Sequence, residues 1–461
     1  VELTRTVCDR ARLARDARFD GRFFIAVTST KIYCRPVCPA PSPKPANIVY
    51  YPSAAAAAEA GFRPCLRCRP ETSPGTPAWL GTSVSVSRGL KLIAEGALDE
   101  QSVDELAERL GLGSRHLRRM FLQHLGATPI AVAQTRRVHF AKKLIDETDL
   151  PMTQVAMASG FGSIRRFNAT FQKLYGRTPV DLRRATSRER GETEAGVYRF
   201  RLGYRPPYNW AAIIGFLAPR AIPGVETVTL DEYRRNISLE GVAGSISVRP
   251  VTAKHHLELR IQFPEPAALF RIVERVRNIF DLRADPTDVD EHLRGDSRLK
   301  PLVDANAGMR VPGCWDGFEI GVRAILGQQV SVKGATTMAG RLVAEFGQGN
   351  FPSPDALADA DLGRIGLTKA RAHSIRELAS AVARGDVRFD ASLGLEAFEE
   401  AMIKLPGIGP WTAQYIAMRI GEPDAFPAGD LYLKQFAKES ETWRPWRAYA
   451  AMYIWNGSHL I

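Results

Sequence analysis

The sequence predicts a multidomain chain: a small α+β zinc module, an all-α domain with a double helix-turn-helix, and a larger α+β domain whose strands precede a mainly helical remainder. Three observations predict it. Two short-spaced cysteine pairs lie within the first 75 residues; one helical pattern occurs twice, about 50 residues apart; and apolar alternation opens the last part before the period turns helical. At 461 residues several cores are expected, since domains commonly run about 100–200 residues. Hydrophobic residues at 45% and charged residues at 24% exclude a wholly disordered or collagen-like chain. No apolar run approaches the roughly 18 residues of a membrane span. Arg10, Arg12, Arg15 and Asp16 interrupt any N-terminal signal pattern, so a cytoplasmic protein with no membrane partner is expected.

The formal charge of +12 is unevenly placed. Residues 1–75 carry a net +6, residues 84–184 another +6, and residues 185–461 are neutral. A basic balance favours a nucleic-acid partner, so the two N-terminal parts are where one is expected. The Pro- and Gly-bearing stretch 72–82 and the polar run 186–196 read as linkers. The boundaries drawn are 1–75, 84–184, a linker at 185–196, and 197–461.

In the first part, Cys34 and Cys38 form one pair and Cys65 and Cys68 the other, with 26 residues between the pairs. This spacing suits one Zn²⁺ with four cysteine ligands, each pair setting two sulfurs about 2.3 Å from the metal. Disulfides are the competing use. A zinc with no further role would still stabilise a module too small for its own core. Cys8 and Cys314 stand alone and read as buried filler.

In the middle part, Ser102–Leu112 followed by Ser114–Phe121 is echoed by Met152–Phe161 followed by Ser163–Asn168. Each copy has a Ser or Thr N-cap, a short helix with Ala at a crossing, a Gly turn and a second capped helix bearing arginine. That is the pattern of a helix-turn-helix offering its second helix to a major groove. Arg115, Arg118, Arg119, Arg165 and Arg166 are the candidate DNA contacts.

The last part sets Tyr198, Phe200 and Leu202 against Arg199, Arg201 and Arg205, as a half-buried strand does. Strand-like runs follow at 225–230 and 256–263, and from about 267 the pattern is helical. Leu405-Pro406-Gly407-Ile408-Gly409-Pro410-Trp411-Thr412 is the strongest local signal. A Gly-x-Gly loop at a helix start can turn its amides toward an anion, although a plain turn between core helices uses the same residues. Downstream, Asp430 precedes a segment from Leu431 that looks helical, so an N-cap is its simplest use.

Three resemblances add to this reading. Phe19-Asp20-Gly21-Arg22-Phe23, Ile32-Tyr33-Cys34-Arg35-Pro36-Val37-Cys38 and Gly61-Phe62-Arg63-Pro64-Cys65-Leu66-Arg67-Cys68 resemble the N-terminal domain of the adaptive-response (Ada) methylation regulators. The resemblance implies that Cys34 is both zinc ligand and nucleophile, taking a methyl group from a methylphosphotriester in DNA. Four thiolates on Zn²⁺ carry a formal −2, and methylating one leaves −1, so DNA affinity is expected to rise after repair. Pro39-Ala40-Pro41 stands where such modules often carry basic residues, which leaves Lys31, Arg35 and Lys44 as phosphate contacts. The middle part, ending Phe167-x3-Phe171 and Tyr175-Gly176-Arg177-Thr178-Pro179, resembles AraC-type DNA-binding domains, which implies promoter DNA and RNA polymerase as partners.

The hairpin with Asp430 resembles the helix-hairpin-helix base-excision glycosylases, and more finely 3-methyladenine DNA glycosylase II. The finer match rests on Pro206-Pro207-Tyr208-Asn209-Trp210, Gly215-Phe216-Leu217-Ala218, Gly321–Gln328 and Trp443-Arg444-Pro445-Trp446-Arg447. It implies that Leu405, Gly407, Gly409 and Thr412 grip the backbone of double-stranded, alkylated DNA, with a monovalent cation as a second candidate ligand of the hairpin. It implies Asp430 as the catalytic carboxylate and Phe216, Trp411, Tyr415 and Trp455 as the aromatic base pocket, where core packing is the competing use of each ring. Trp411 occupies the position at which glycosylases that also cut the backbone carry a lysine, so a monofunctional enzyme is implied. Gln328 and Gln329 fall at the base-flipping gap, and Gln329 departs from the apolar wedge expected there. The stretch Phe436–Trp443 is shorter than this family suggests and the numbering opens on Val1, so missing pieces of the gene product are expected. No Pro-Cys-His-Arg motif is present, and O6-methylguanine repair is not expected. The competing functions are a regulator whose glycosylase-like domain is inactive, and a zinc-responsive regulator.

Overall fold

The computed structural model describes residues 2–76, 84–186, 194, 196–389 and 394–457. Residues 77–82 of the first predicted linker with Ser83 after it, and 187–193 and 195 of the second, lie outside the described residues. Backbone contacts divide the chain into two compact units. The first is Val1–Pro206 with Val251–Glu274 and Leu282–Asp285; the second is Pro207–Pro250 with Arg275–Asp281 and Pro286–Ile461. Among the described residues, no helix is long and apolar enough to cross a membrane.

The first unit opens with a four-stranded sheet of β1 (Phe24–Val27), β2 (Ile32–Cys34), β3 (Ile48–Tyr51) and β4 (Arg63–Pro64), in the order β3-β1-β2-β4. Strand alternation gives the sheet two different faces. Phe23 and Ile25 pack with Cys8 and the buried cysteines on one face, while Phe24, Ala26 and Tyr33 pack against the alanine helix Ala54–Glu59 on the other. The parallel pairing of β2 with β4 brings the cysteine pairs together: Cys34 ends β2, Cys65 follows β4, and the Cys65 amide donates to the Tyr33 carbonyl at 3.0 Å.

Two helix pairs follow. Helix Val103–Arg109 has a complete capping box between Ser102 and Glu105, and Gly111 (φ +68°) turns the chain into helix Ser114–Leu125. In the second copy, Gly160 (φ +79°) separates helix Met152–Ala158 from helix Ile164–Tyr175, which Ser163 caps through the Arg166 amide. The expected hydroxyl caps are therefore present at two of the four helix starts. The others begin at Gly113 and Pro151 without a side-chain cap, because Ser114 is already inside its helix and Pro151 stands at the cap position of the other. Ala107 and Ala156 are buried at the crossings, as expected.

The long helix Pro129–Glu147 joins the two pairs and also receives the zinc module. Tyr33 meets His139 at 2.9 Å, and Ser53 donates to the Leu125 carbonyl at 2.7 Å. Lys142 pairs with Asp146 at 2.5 Å and Glu71 at 3.8 Å, and Arg69 reaches Asp146 at 2.9 Å. Lys142, Asp146 and Glu71 are nearly dry, so their pairing offsets a desolvation penalty that each would otherwise carry alone.

The remaining strands are β5 (Val197–Gly203), β6 (Glu226–Val228), β7 (Tyr233–Leu239), β8 (Val242–Val251) and β9 (His256–Gln262). In the first unit β5 pairs antiparallel with β9, and in the second β6, β7 and β8 form an antiparallel meander. Tyr198, Phe200 and Leu202 face inward and Arg199 and Arg201 outward, as the alternation predicts. Arg205 departs from it. Its side chain is fully buried, donating to the carbonyls of Arg283 at 2.9 Å, Ala284 and Gly75, and so anchors the start of the first predicted linker.

Sequence reading missed β7 and β8, and for β7 the reason is physical. The inward row of β7 is Tyr233, Arg235, Ile237 and Leu239, and the arginine hides the apolar period. Arg235 can face inward because it pairs with Glu319 at 2.7 Å and Glu226 at 3.8 Å. Burial pushes the Glu226 carboxyl up, but Arg323 and Arg235 outweigh it and hold the group well below the usual carboxylate range. The turn from β7 to β8 uses Glu240 and Gly241, both at positive φ, as a two-residue hairpin requires. Removing Arg235 leaves two buried carboxylates, Glu226 and Glu319, to share the single cation Arg323. Arg235→Leu is expected to lose about 3–5 kcal/mol in a denaturant titration, and Arg235→Leu with Glu319→Leu to recover part of it. A single variant within about 1 kcal/mol of the unaltered chain would contradict this account.

Candidate functional site

Four sulfurs converge in the first unit. The Sγ atoms of Cys34, Cys38, Cys65 and Cys68 all lie within 4.8 Å of one another, and all six cysteines are free thiols, which sets the disulfide alternative aside. A tetrahedral zinc–thiolate centre has sulfurs about 3.8 Å apart, so this soft, all-sulfur donor set fits one Zn²⁺. The Arg35 amide lies 3.4 Å from the Cys68 sulfur, where it can donate and steady the thiolate. Cys34, Cys65 and Cys68 are buried and Cys38 is partly exposed. Cys8 is buried in the same core but outside the four-sulfur group, Cys314 is buried in the second unit, and burial first, then Asp9, pushes the Cys8 thiol up to about 11.

Of the three phosphate contacts expected in this module, Lys31 and Lys44 are exposed. Arg35 is committed internally, to Asp20, to the Cys68 carbonyl at 3.0 Å and to Thr72 at 2.5 Å, so it braces the metal centre. On the helix pairs, Arg115, Arg118, Arg119, Arg165 and Arg166 are all exposed, on helices whose opposite faces bury Leu117, Phe121, Phe167 and Phe171. Arg119 contacts His116 at 2.9 Å.

The second unit assembles a cluster around the hairpin. Leu405 to Gly409 joins helix Leu395–Met402 to helix Pro410–Arg419. Ile408 is buried beneath it, Gly407 has φ +76°, and a Cβ there would fall 2.1 Å from Ser374 Oγ, so a side chain is excluded on both counts. Gln328 does not stand free. Its amide donates to the Gly407 carbonyl at 2.8 Å and to Thr412 at 3.0 Å, tying its loop to the hairpin. Gln329 is exposed, in the left-handed region at φ +54°.

Trp411, Tyr415 and Arg419 occupy one stripe of helix Pro410–Arg419, four residues apart. The Trp411 and Tyr415 rings stack at 5.6 Å and 9°, Trp455 stands 6.4 Å from Tyr415, and Phe216 stacks with Trp455 at 6.4 Å. Trp411, Tyr415 and Trp455 are each only partly buried. Asp430 joins the cluster through Trp455, whose Nε1 donates to Oδ1 at 3.0 Å. The same oxygen accepts from the amides of Tyr432 at 2.9 Å and Leu433 at 3.4 Å. The cap expected of Asp430 is thus present, but the segment beyond is turn and 3₁₀ structure, Lys434–Phe436 and then Glu439–Trp443, rather than an α-helix. Asp430 Oδ2 accepts no hydrogen bond among the described residues and the residue is partly exposed, so one carboxylate oxygen remains available.

Sequence reasoning missed the cations around these rings. Arg220 lies over Phe216 at 3.9 Å, and Arg419 stands 5.0 Å from Phe216 and 5.7 Å from Tyr415. The signal was the four-residue spacing of Phe216 to Arg220 and of Tyr415 to Arg419, which puts each pair on one face.

A four-thiolate metal module, a doubled helix-turn-helix and a hairpin beside an aromatic-carboxylate cluster define a DNA-acting protein of composite class. Family comparisons agree along the chain. Residues 7–71 match the metal binding domain of Ada, 106–185 a helix-turn-helix domain, 199–316 the AlkA N-terminal domain, and 322–453 the HhH-GPD superfamily of base excision DNA repair proteins. A relative from Mycobacterium tuberculosis, named "Probable bifunctional transcriptional activator/DNA repair enzyme AlkA", is 41% identical over 97% of this chain and 95% of its own length. DNA-3-methyladenine glycosylase 2 of Escherichia coli is 33% identical, covering 56% of this chain and 96% of its own. A 3-methyladenine DNA glycosylase structure from Archaeoglobus fulgidus is 21% identical and covers 57% of this chain and 99% of its own, with a TM-score of 0.49. The chain belongs to the bifunctional activator/repair family in which an Ada-like regulator is fused to an AlkA-type glycosylase.

The cysteine centre makes a direct prediction. Metal analysis of the purified chain is expected to find one zinc, lost in Cys65→Ser and Cys68→Ser and retained in Cys8→Ser. Zinc that survives both ligand changes would contradict the assignment.

Proposed function

We propose that this chain senses and repairs DNA alkylation by two separate chemistries: single-turnover methyl transfer to Cys34, and hydrolysis of the N-glycosidic bond of alkylated bases such as 3-methyladenine with Asp430 as the catalytic carboxylate. The observation that carries the glycosylase reading is the open Oδ2 of Asp430, on a side chain held by Trp455 within the ring cluster of Phe216, Trp411 and Tyr415. A base turned out of the duplex stacks on these rings. As the bond from C1′ to the base nitrogen breaks, its electron pair leaves with the base and positive charge grows on the sugar. Asp430 stabilises that charge, and water adds to C1′ with loss of a proton. N-alkylated purines are already cationic, so the departing base becomes neutral without an added proton. Trp411 offers no amine for Schiff-base chemistry, so the product is an abasic site and the enzyme is monofunctional. The hairpin residues Leu405, Gly407, Gly409 and Thr412 hold the DNA backbone, a monovalent cation being a second ligand of that loop, and Gln329 enters the gap left by the flipped base.

In the first unit, Cys34 Sγ attacks the methyl carbon of a methylphosphotriester. The S–C bond forms, the O–C bond breaks, and the electron pair stays on the phosphate oxygen, restoring its negative charge. When bound, zinc keeps the thiolates deprotonated at neutral pH. Methylation removes one negative charge from the cluster, so electrostatic repulsion of DNA falls and the helix-turn-helix arginines hold a promoter more tightly. RNA polymerase is the partner such an activator would recruit.

Two measurements test these readings. Release of 3-methyladenine from alkylated duplex DNA is expected from the unaltered chain and to fall by about 10²–10³ in Asp430→Asn. No release by either would favour a regulator with an inactive glycosylase-like domain. After exposure to methylphosphotriester DNA, peptide fragmentation is expected to locate one added CH₂ on Cys34 rather than on the more exposed Cys38, with tighter DNA binding most evident at low salt. Without an adduct, a zinc-responsive regulator becomes the better reading.

A further inference from the structure

The hydroxyl of Tyr415 is in an unusual position within the ring cluster. Its oxygen accepts from Arg419 Nη1 at 2.9 Å, and the Arg220 guanidinium, which lies over the Phe216 ring at 3.9 Å, adds a second positive charge. A guanidinium has donors and no acceptor, so neither neighbour can receive the phenol's own hydrogen. Arg419 has no freedom to turn away. It is buried, with Nε donating to the Pro312 carbonyl at 2.6 Å and Nη2 to the Gly313 carbonyl at 2.8 Å. Gly313 in turn packs so closely on Asn278 that an added Cβ would lie 2.4 Å from its carbonyl oxygen. Among the described residues the Tyr415 O–H meets no acceptor, and the partly exposed ring belongs to the same cluster as Trp455 and Asp430.

We propose that Tyr415 is a specificity-determining hydrogen-bond donor, its O–H reading an unsubstituted purine ring nitrogen on the edge of the base held between these rings. This deepens the glycosylase reading and rests on it. Arg419 is the positioning residue: by filling an acceptor site on the phenol oxygen it commits the phenol to donate away from itself. The same charges strengthen the donor. Packing pushes the Tyr415 phenol up, but Arg419 and Arg220 outweigh it and bring it below its ordinary value, and a more acidic O–H donates more strongly. The guanidiniums over Phe216 also oppose a cationic base, while the aromatic faces attract it. A neutral damaged purine that keeps its acceptor nitrogen therefore gains from Tyr415 what a base alkylated at that nitrogen cannot.

Binding tests this without catalysis. Full-length Asp430→Asn protein, in which base release is slowed, is titrated by fluorescence anisotropy against duplexes containing hypoxanthine, 3-deazahypoxanthine or 7-deazahypoxanthine. One of the two deaza bases is expected to bind about tenfold more weakly than hypoxanthine. Adding Tyr415→Phe, which keeps the ring, is expected to erase the difference. Equal affinities with Tyr415 in place would overturn the proposal, as would a preference that survives Tyr415→Phe. The first comparison needs no change at Tyr415, so its outcome does not depend on how that variant folds. Base release by the unaltered chain reports on the glycosylase reading separately, and the binding comparison holds whichever way that falls.

Discussion

A guanidinium taken out of water must find acceptors or counter-charges for its donors, and much of this structure depends on where those partners are. Arg205, Arg235, Arg310 and Arg419 are all nearly inaccessible to solvent. Each is bound to backbone carbonyls or buried carboxylates that fix the elements around it. Losing one partner would leave the other uncompensated, so these contacts specify geometry more surely than they add net stability. Arg235 holds a strand to the helix carrying Glu319. Arg419 holds the aromatic cluster to the Pro312–Gly313 loop.

This changes what the positive charge means. The excess in residues 1–184 suggested two DNA-facing modules, and the exposed arginines of both second helices fit that. Arg35 and Arg69 do not, because they hold the cysteine loops to Asp20 and to the long helix Pro129–Glu147. Tyr33, next to Cys34, and Arg69, next to Cys68, both dock on that one helix. The metal centre is therefore continuous with the scaffold of the helix-turn-helix pairs. The neutral C-terminal part buries several of its arginines, Arg205, Arg235, Arg310 and Arg419 among them, and a count of net charge carries no information about which ones.

Legibility followed the locality of the signal. The cysteine pairs, the capping of Ser102 and Ser163, the glycine turns and the hairpin could all be read because each depends on a few neighbouring residues. Strand β7 could not, since an inward arginine is acceptable only with distant carboxylates as partners, chief among them Glu319, 84 residues away. The same held for Arg205, whose carbonyl partners come from 75 and from 283–284. At the aromatic cluster the rings were legible. The engagement of Gln328 with the hairpin and the cations over Phe216 were not.

The amino-acid sequence by itself determined the order of the modules, the four sulfur ligands, the doubled helix pair and the aromatic and carboxylate groups of the C-terminal cluster. Those are matters of residue type and short spacing, which the chain carries wherever it goes. Only the tertiary structure decided which arginines face solvent, which oxygen of Asp430 stays open and which way the Tyr415 hydroxyl can donate. The physical reason is that a hydrogen bond or ion pair has direction and needs a partner, and in this fold the deciding partners lie far apart in sequence.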